Sequence, residues 1–135
     1  MIWRVLTVHQ PYAELIALPD DDPRRKRIEN RPAALSYRGP LLIHAGKDLA
    51  WLDDAAGWNI DPATLVFGAL VAACELWAVY HVNSMSVGMM PEIETQHAHG
   101  PQCLMLRNVR RLRTPIPIRG QQGLWSYDDE GREIV

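Results

Sequence analysis

Cysteine is scarce in this chain: Cys74 and Cys103 are the only two among 135 residues. Both lie inside apolar runs, with no spaced framework around them. That removes the small disulfide-stapled class and reads as two buried thiols of a cytoplasmic protein, with a bond between them as the alternative. A Gly-rich phosphate loop is missing, and so is a nucleophile elbow with a Ser-His-Asp pattern, so P-loop and triad chemistry have no basis here. His97-x-His99-x-x-x-Cys103 invites a metal reading, but no second ligand pair and no fourth donor accompany it; no metal or other cofactor is expected. The N-terminus runs straight into Trp3-Arg4-Val5-Leu6-Thr7-Val8 without a charged leader and a long apolar stretch, so no secretory signal is expected. Leu65 to Val82 is about long enough to cross a bilayer, yet it contains Glu75 and is β-rich, which argues against a membrane partner. Repeats and linkers are absent too. One domain over residues 1–135 is expected, its core from about 4 to 127 and an acidic, frayed tail from 128 to 135.

What the chain does have is segregated charge. The net charge of −2 gives no hint of a polyanion partner, but the distribution does. From Arg24 to Lys47 there are seven basic residues against one acid, Glu29; from Arg107 to Arg119 there are five arginines and no acid. The remainder carries Arg4 and Arg132 against fifteen acids. If the fold joins the two basic segments, they form a positive face that attracts phosphates; the alternative is arginines solvating two exposed edges.

Apolar periodicity and punctuation give the coarse organisation. Trp3 to Val8 reads as a strand, and Pro11 opens a short helix through Tyr12 to Leu18. Leu41 to Ala45 reads as a buried strand, followed by Asp48 as a helix N-cap over Leu49, Trp51 and Leu52; Asp61-Pro62 caps one further turn. Leu65 to Val82 lacks two-residue alternation, as a central strand covered on both faces would. Residues 83 to 102 form a long loop of the kind used as a lid or binding element. Cys103 to Arg113 is a strand, Pro115 and Pro117 confine the next segment to an edge or crossover, and Leu124 to Tyr127 closes the sheet. The expected fold is mixed α+β: a small β-barrel with flanking helices.

Candidate chemistry centres on Glu75 and on Lys26-x-x-Glu29-x-Arg31. From Pro62 to Pro91, Glu75 is the only charged residue. An acid in such a run faces a ligand, or is lifted in pKa by desolvation, or is paired with a cation, for which Lys26 or Arg31 is the natural partner. In an extended chain Glu29 and Arg31 share a face, and Lys26 joins them only through a bulge or turn. A desolvated lysine beside an acid serves as a base or binds phosphate; the alternative is a solvated loop with one internal salt bridge. At the first strand-to-helix junction, Gln10 and the amides behind Pro11 can read a base edge or bind an anion, with Gln10 as a cap and Tyr12 as packing the alternative.

Several fragments occur here in one order: Val5 to Ala13 (VLTVHQPYA), Lys26 to Arg31 (KRIENR), Tyr37 to Ala45 (YRGPLLIHA), Gly68 to Ala72, Cys103 to Arg110, Pro115-Ile116-Pro117 and Gly123-Leu124-Trp125. Together, over residues 4 to 126, the set resembles the ASCH domain of the PUA-like superfamily. The resemblance implies a PUA-like β-barrel with a cleft for RNA or a nucleobase, and single-stranded RNA or a nucleoside as partner. It also implies, as an alternative, a small hydrolase acting on N4-acetylated cytidine or on RNA. In the amidohydrolase subgroup a lysine, a threonine three positions later and a glutamate on a later strand do the work. Lys26 and Glu75 match the first and third; Glu29 stands at the threonine position, and Arg24 at a position usually glycine. On this reading Lys26, Glu29 and Glu75 are the catalytic candidates. Gln10, Tyr12, Arg27, Arg31, Arg38, His44, Lys47, Arg107, Arg110, Arg111 and Trp125 are the binding candidates.

Overall fold

The computed structural model describes residues 1–84, 90 and 92–135, the side chains of residues 92 and 93 excepted. Six strands form one sheet: β1 (Ile2–Val8), β2 (Ile28–Arg31), β3 (Gly39–Ala45), β4 (Ala69–His81), β5 (Gln102–Pro117) and β6 (Leu124–Asp128). Their order is β2-β5-β4-β3-β1-β6. β1 and β3 run parallel, with Val8 opposite Ala45, and every other pairing is antiparallel. A parallel pair needs a crossover, and α1 (Tyr12–Ala17) and β2 lie within it. Two further helices are short, α2 (Asp54–Gly57) and α3 (Glu92–Thr95).

The sheet is mixed α+β as expected, but it is not a barrel. β2 and β6 are its two edges and do not pair with each other, so β6 ends the sheet instead of closing it. β2 is only four residues long, which leaves β5 as an edge beyond Met105; Pro115 and Pro117 sit on that open stretch, where a missing N–H costs no ladder bond.

Both faces of the sheet are packed. Leu6, Val8, Leu41, Ile43, Cys74 and Leu104 meet Ala13, Ile16 and Ala17 of α1 on one side. Trp3, Val5, Leu42, Leu70, Leu112 and Trp125 pack on the other. The central position of β4, buried from Ala69 through Cys74, accounts for its lack of alternation. Asp61 accepts from the Ala63 amide and starts a 3-10 turn, Pro62–Thr64. Asp48 starts no helix: its Oδ1 accepts from Ala50 N in a local turn, and Leu49 and Trp51 are exposed.

The acidic tail is folded down, contrary to expectation. Asp129 is buried and accepts from Trp3 Nε1 at 3.0 Å and from the Met1 ammonium at 2.8 Å, while Ile134 packs with Trp3 and Leu112. These contacts hold its carboxyl at about 2, the Met1 ammonium first among them. In the 83–102 stretch, residues 85–89 and 91 lie outside the described residues; the remainder is not one long loop but includes α3 and the first residue of β5. No described helix is long and apolar enough to cross a membrane.

Candidate functional site

At the carboxyl ends of β1 and β3 successive residues of β1 point to opposite faces, so Thr7 and Val8 open onto different sides of the sheet. Each side has a cavity, and His9 lines both.

On the α1 side the cavity holds about 460 Å³, within the usual range for small-molecule sites. Lys26 lies in it, 3% exposed, its backbone N–H tied to Leu15 O. Its Nζ is 3.6 Å from Glu29 Oε1 and 5.7 Å from the centroid of the Tyr12 ring. Burial lowers the Lys26 pKa below its ordinary value, and the Glu29 carboxylate offsets part of that shift. Glu29 Oε2 accepts from Arg31 at 2.9 Å, and Arg31 in turn donates to the Thr7 carbonyl at 2.7 Å. Arg31 Nε is buried with no acceptor among the described residues.

The opposite wall is aromatic. Trp58 stacks on His97 at 4.7 Å and 25° between planes, and Trp51 stands at the mouth with 52% of its surface exposed. His97 Nε2 is 3.1 Å from Arg24 O; a ring nitrogen facing a carbonyl carries the proton, so this is the Nε2–H tautomer. Burial pushes the His97 pKa down to about 4, which keeps the ring neutral. Asn30 fixes the segment to β2, donating to His97 O and accepting from the amides of His99 and Gly100. Tyr12 donates to the Asp54 carboxylate, and burial first, then that bond, raise its pKa to about 12. The result is an apolar slot of three aromatic side chains over an ion pair.

Of the residues singled out in the sequence, Tyr12, Lys26, Glu29 and Arg31 converge. Gln10 and Arg27 lie near but are committed to the scaffold. Gln10 accepts from Glu14 N and donates to Val66 O, capping α1 where Pro11 offers no side-chain cap. Arg27, also buried, donates to Ile16 O and Leu18 O and satisfies the last carbonyls of α1. Arg38 is exposed and donates to Leu35 O and Tyr37 O.

Glu75 does not reach Lys26 or Arg31. It faces outward from β4 and accepts from Arg107 at 3.0 and 3.2 Å and from Asn108 at 3.0 Å. The Arg107 bond, ahead of the charge itself, lowers its pKa. Arg107 also lies over Trp77, 5.2 Å from its centroid. Arg111 pairs with Glu14 at 2.7 Å, and Arg110 is exposed. Apart from Arg110, the arginines of β5 therefore make their own pairs, and none lines a wall of the Lys26 cavity.

His44, Lys47 and Trp125 belong to the other face. His44 Nε2 donates to Ile118 O at 2.7 Å, which leaves Nδ1 as an acceptor 3.2 Å from Thr7 Oγ1. Burial lowers the His44 pKa. Trp125 Nε1 donates to the same Thr7 oxygen at 3.2 Å, and its ring meets His44 edge-on at 5.6 Å.

Asn30, Trp51, Trp58 and His97 had no place in the sequence-based site. Trp51 and Trp58 follow the buried strand in a polar loop, and that surplus of tryptophan outside any strand was the signal available.

An open mixed sheet with a crevice at the ends of its one parallel strand pair defines the architectural class. The fold is that of the ASCH domain. The structure of ASCH from Zymomonas mobilis superposes with a TM-score of 0.52 at 14% identity, over 94% of this chain and 88% of that one. A tyrosine-to-phenylalanine variant of the same protein gives 0.53 at 15%, over 94% and 91%, and a serine-to-alanine variant 0.51 at 16%, over 94% and 89%. No protein-family model matches the chain, and no curated protein does.

Proposed function

We propose that the protein is an ASCH-domain nucleic-acid-binding protein whose Lys26 cavity takes a nucleobase of single-stranded RNA. The observation that carries this reading is the aromatic slot of Tyr12, Trp51 and Trp58 above the buried Lys26–Glu29 pair. Splayed bases are held by stacking on aromatic rings and by hydrogen bonds to their edges; Lys26 supplies a donor and Glu29 an acceptor in one recess. Arg31 fixes Glu29 by its charge-assisted bond and does not face the base itself. The test is tryptophan fluorescence quenching by a short single-stranded RNA at several salt concentrations. Quenching with an affinity that falls steeply with salt is expected; a signal that does not change with RNA refutes the reading.

One observation favours hydrolysis as a second reading: a buried lysine of lowered pKa in a cavity can act as a base. Lys26 and Glu29 would then work as the acid/base pair, since Glu75 is held by Arg107 and Asn108 away from the cavity. Incubation with N4-acetylcytidine and with labelled RNA tests it, and turnover abolished by Lys26→Ala is required.

A further inference from the structure

The cavity on the far side of the sheet is the larger, about 750 Å³, and its chemistry differs. Most of the protein's cations are spent on internal partners. Among the described residues, only Lys47, Arg110 and Arg119 have neither an ion pair nor a hydrogen bond, and two of these three line this one groove. Asp48 is the single acid there, and one of its oxygens already accepts from Ala50 N.

The groove is also built, not merely open. Gly46 N donates to Val8 O, Gly68 N to Ala45 O and Ile118 N to Gly68 O, which stitches the ends of four strands into a continuous floor. Gly68, at φ +68°, leaves the space in which Lys47 lies: a Cβ there would come within 2.6 Å of Lys47 Cε. A Cβ on Gly120 would stand 2.7 Å from the His44 ring and 3.0 Å from Thr7 Oγ1, so the wall backbone touches the side chains beneath it. Along that wall the amides of Arg119, Gly120, Gln121 and Gln122 donate to no acceptor among the described residues. Successive free N–H groups beside two unpaired cations form a concavity suited to oxyanions.

We propose that this groove binds phosphate groups, through Lys47, Arg119 and the amides of residues 119–122, on the sheet face opposite Lys26. The anion site stands on the groove's own chemistry; it rests on the RNA reading only for its physiological source, the sugar–phosphate backbone. Neutral His44 contributes shape and a fixed Thr7 hydroxyl, not charge.

Amide NMR of the full chain tests it, with inorganic phosphate and a short oligouridylate as probes. Phosphate is expected to shift the amides of Gly46, Gly120, Gln121 and Gln122, and the double variant Lys47→Ala, Arg119→Ala is expected to abolish those shifts. Both residues are exposed and neither side chain makes an ion pair or hydrogen bond among the described residues, and the variant's remaining amide spectrum reads directly whether the fold is kept. For the oligonucleotide, the double variant should weaken binding about tenfold at low salt and reduce the salt slope by about 1.4, near 0.7 for each lost contact. Phosphate shifts that vanish in the variant while oligonucleotide affinity stays unchanged uphold the anion site and assign it to free phosphate compounds. Shifts that survive the double variant, or that fall elsewhere, overturn it. Cytidine carries no phosphate, so its binding reports on the Lys26 cavity alone, and failure there is separable from failure here.

Discussion

The ammonium of Lys26 stands 3.6 Å from the carboxylate of Glu29, where only 4% and 11% of the two side chains meet water. Glu29 also holds Arg31, so one carboxylate compensates two cations at the base of the cavity. An ion pair at this depth adds little net stability, yet its rupture strands a charge.

Glu29→Gln is expected to destabilise the fold by about 3 kcal/mol, because it leaves the buried Lys26 uncompensated, whereas Lys26→Met leaves Glu29 paired with Arg31 and should cost clearly less. The double variant should lose clearly less than the sum, since the Lys26 charge that Glu29→Gln strands is gone as well. Urea unfolding of the four proteins measures this, and strictly additive losses would contradict the coupling.

Trp51 and Glu75 separate the cavity from the rest of the surface. Trp51→Ala touches an exposed ring and should leave stability unchanged while weakening single-stranded RNA by roughly 1–3 kcal/mol, the worth of one stacked base. Glu75→Gln breaks a solvent-screened pair of little energetic weight and should leave RNA affinity where it was. Equal losses of affinity in the two variants would place the base elsewhere.

His97 makes stability depend on pH. Its folded pKa of about 4 lies below the ordinary value of 6.5, so the unfolded chain takes up the proton first. The contribution is complete above pH 6.5 and is lost as the pH falls toward 4, with a slope of up to about 1.4 kcal/mol per pH unit. His44, lowered by burial as well, acts in the same direction. His97→Gln retains a donor for Arg24 O and cannot titrate, so its unfolding free energy should vary less across that window. A profile parallel to that of the unaltered protein would exclude His97 as the source.

Much of the scaffold was legible because local rules decide it: β1, α1 after Pro11, the Asp61-Pro62 turn and the doubly covered β4. The Lys26–Glu29–Arg31 cluster was legible too, since all three residues fall within one short segment. The partner of Glu75 was not. β4 and β5 change register at three points, and each shift alters which side chains meet, so the pairing of Glu75 with Arg107 is a property of the ladder. The stack of Trp58 on His97 joins segments far apart in sequence, and the Asp129 contacts join the last strand to the first. The open sheet was not legible for a related reason: β2 and β6 stand at its opposite edges, an order that strand composition does not mark.

Thr7 has a carbonyl that answers to Arg31 and, through Glu29, to Lys26; its hydroxyl answers to His44, Trp125 and Gln121 on the reverse side. The Thr7–Val8 peptide therefore borders both recesses at once. A single backbone unit is thus shared by the walls of both recesses.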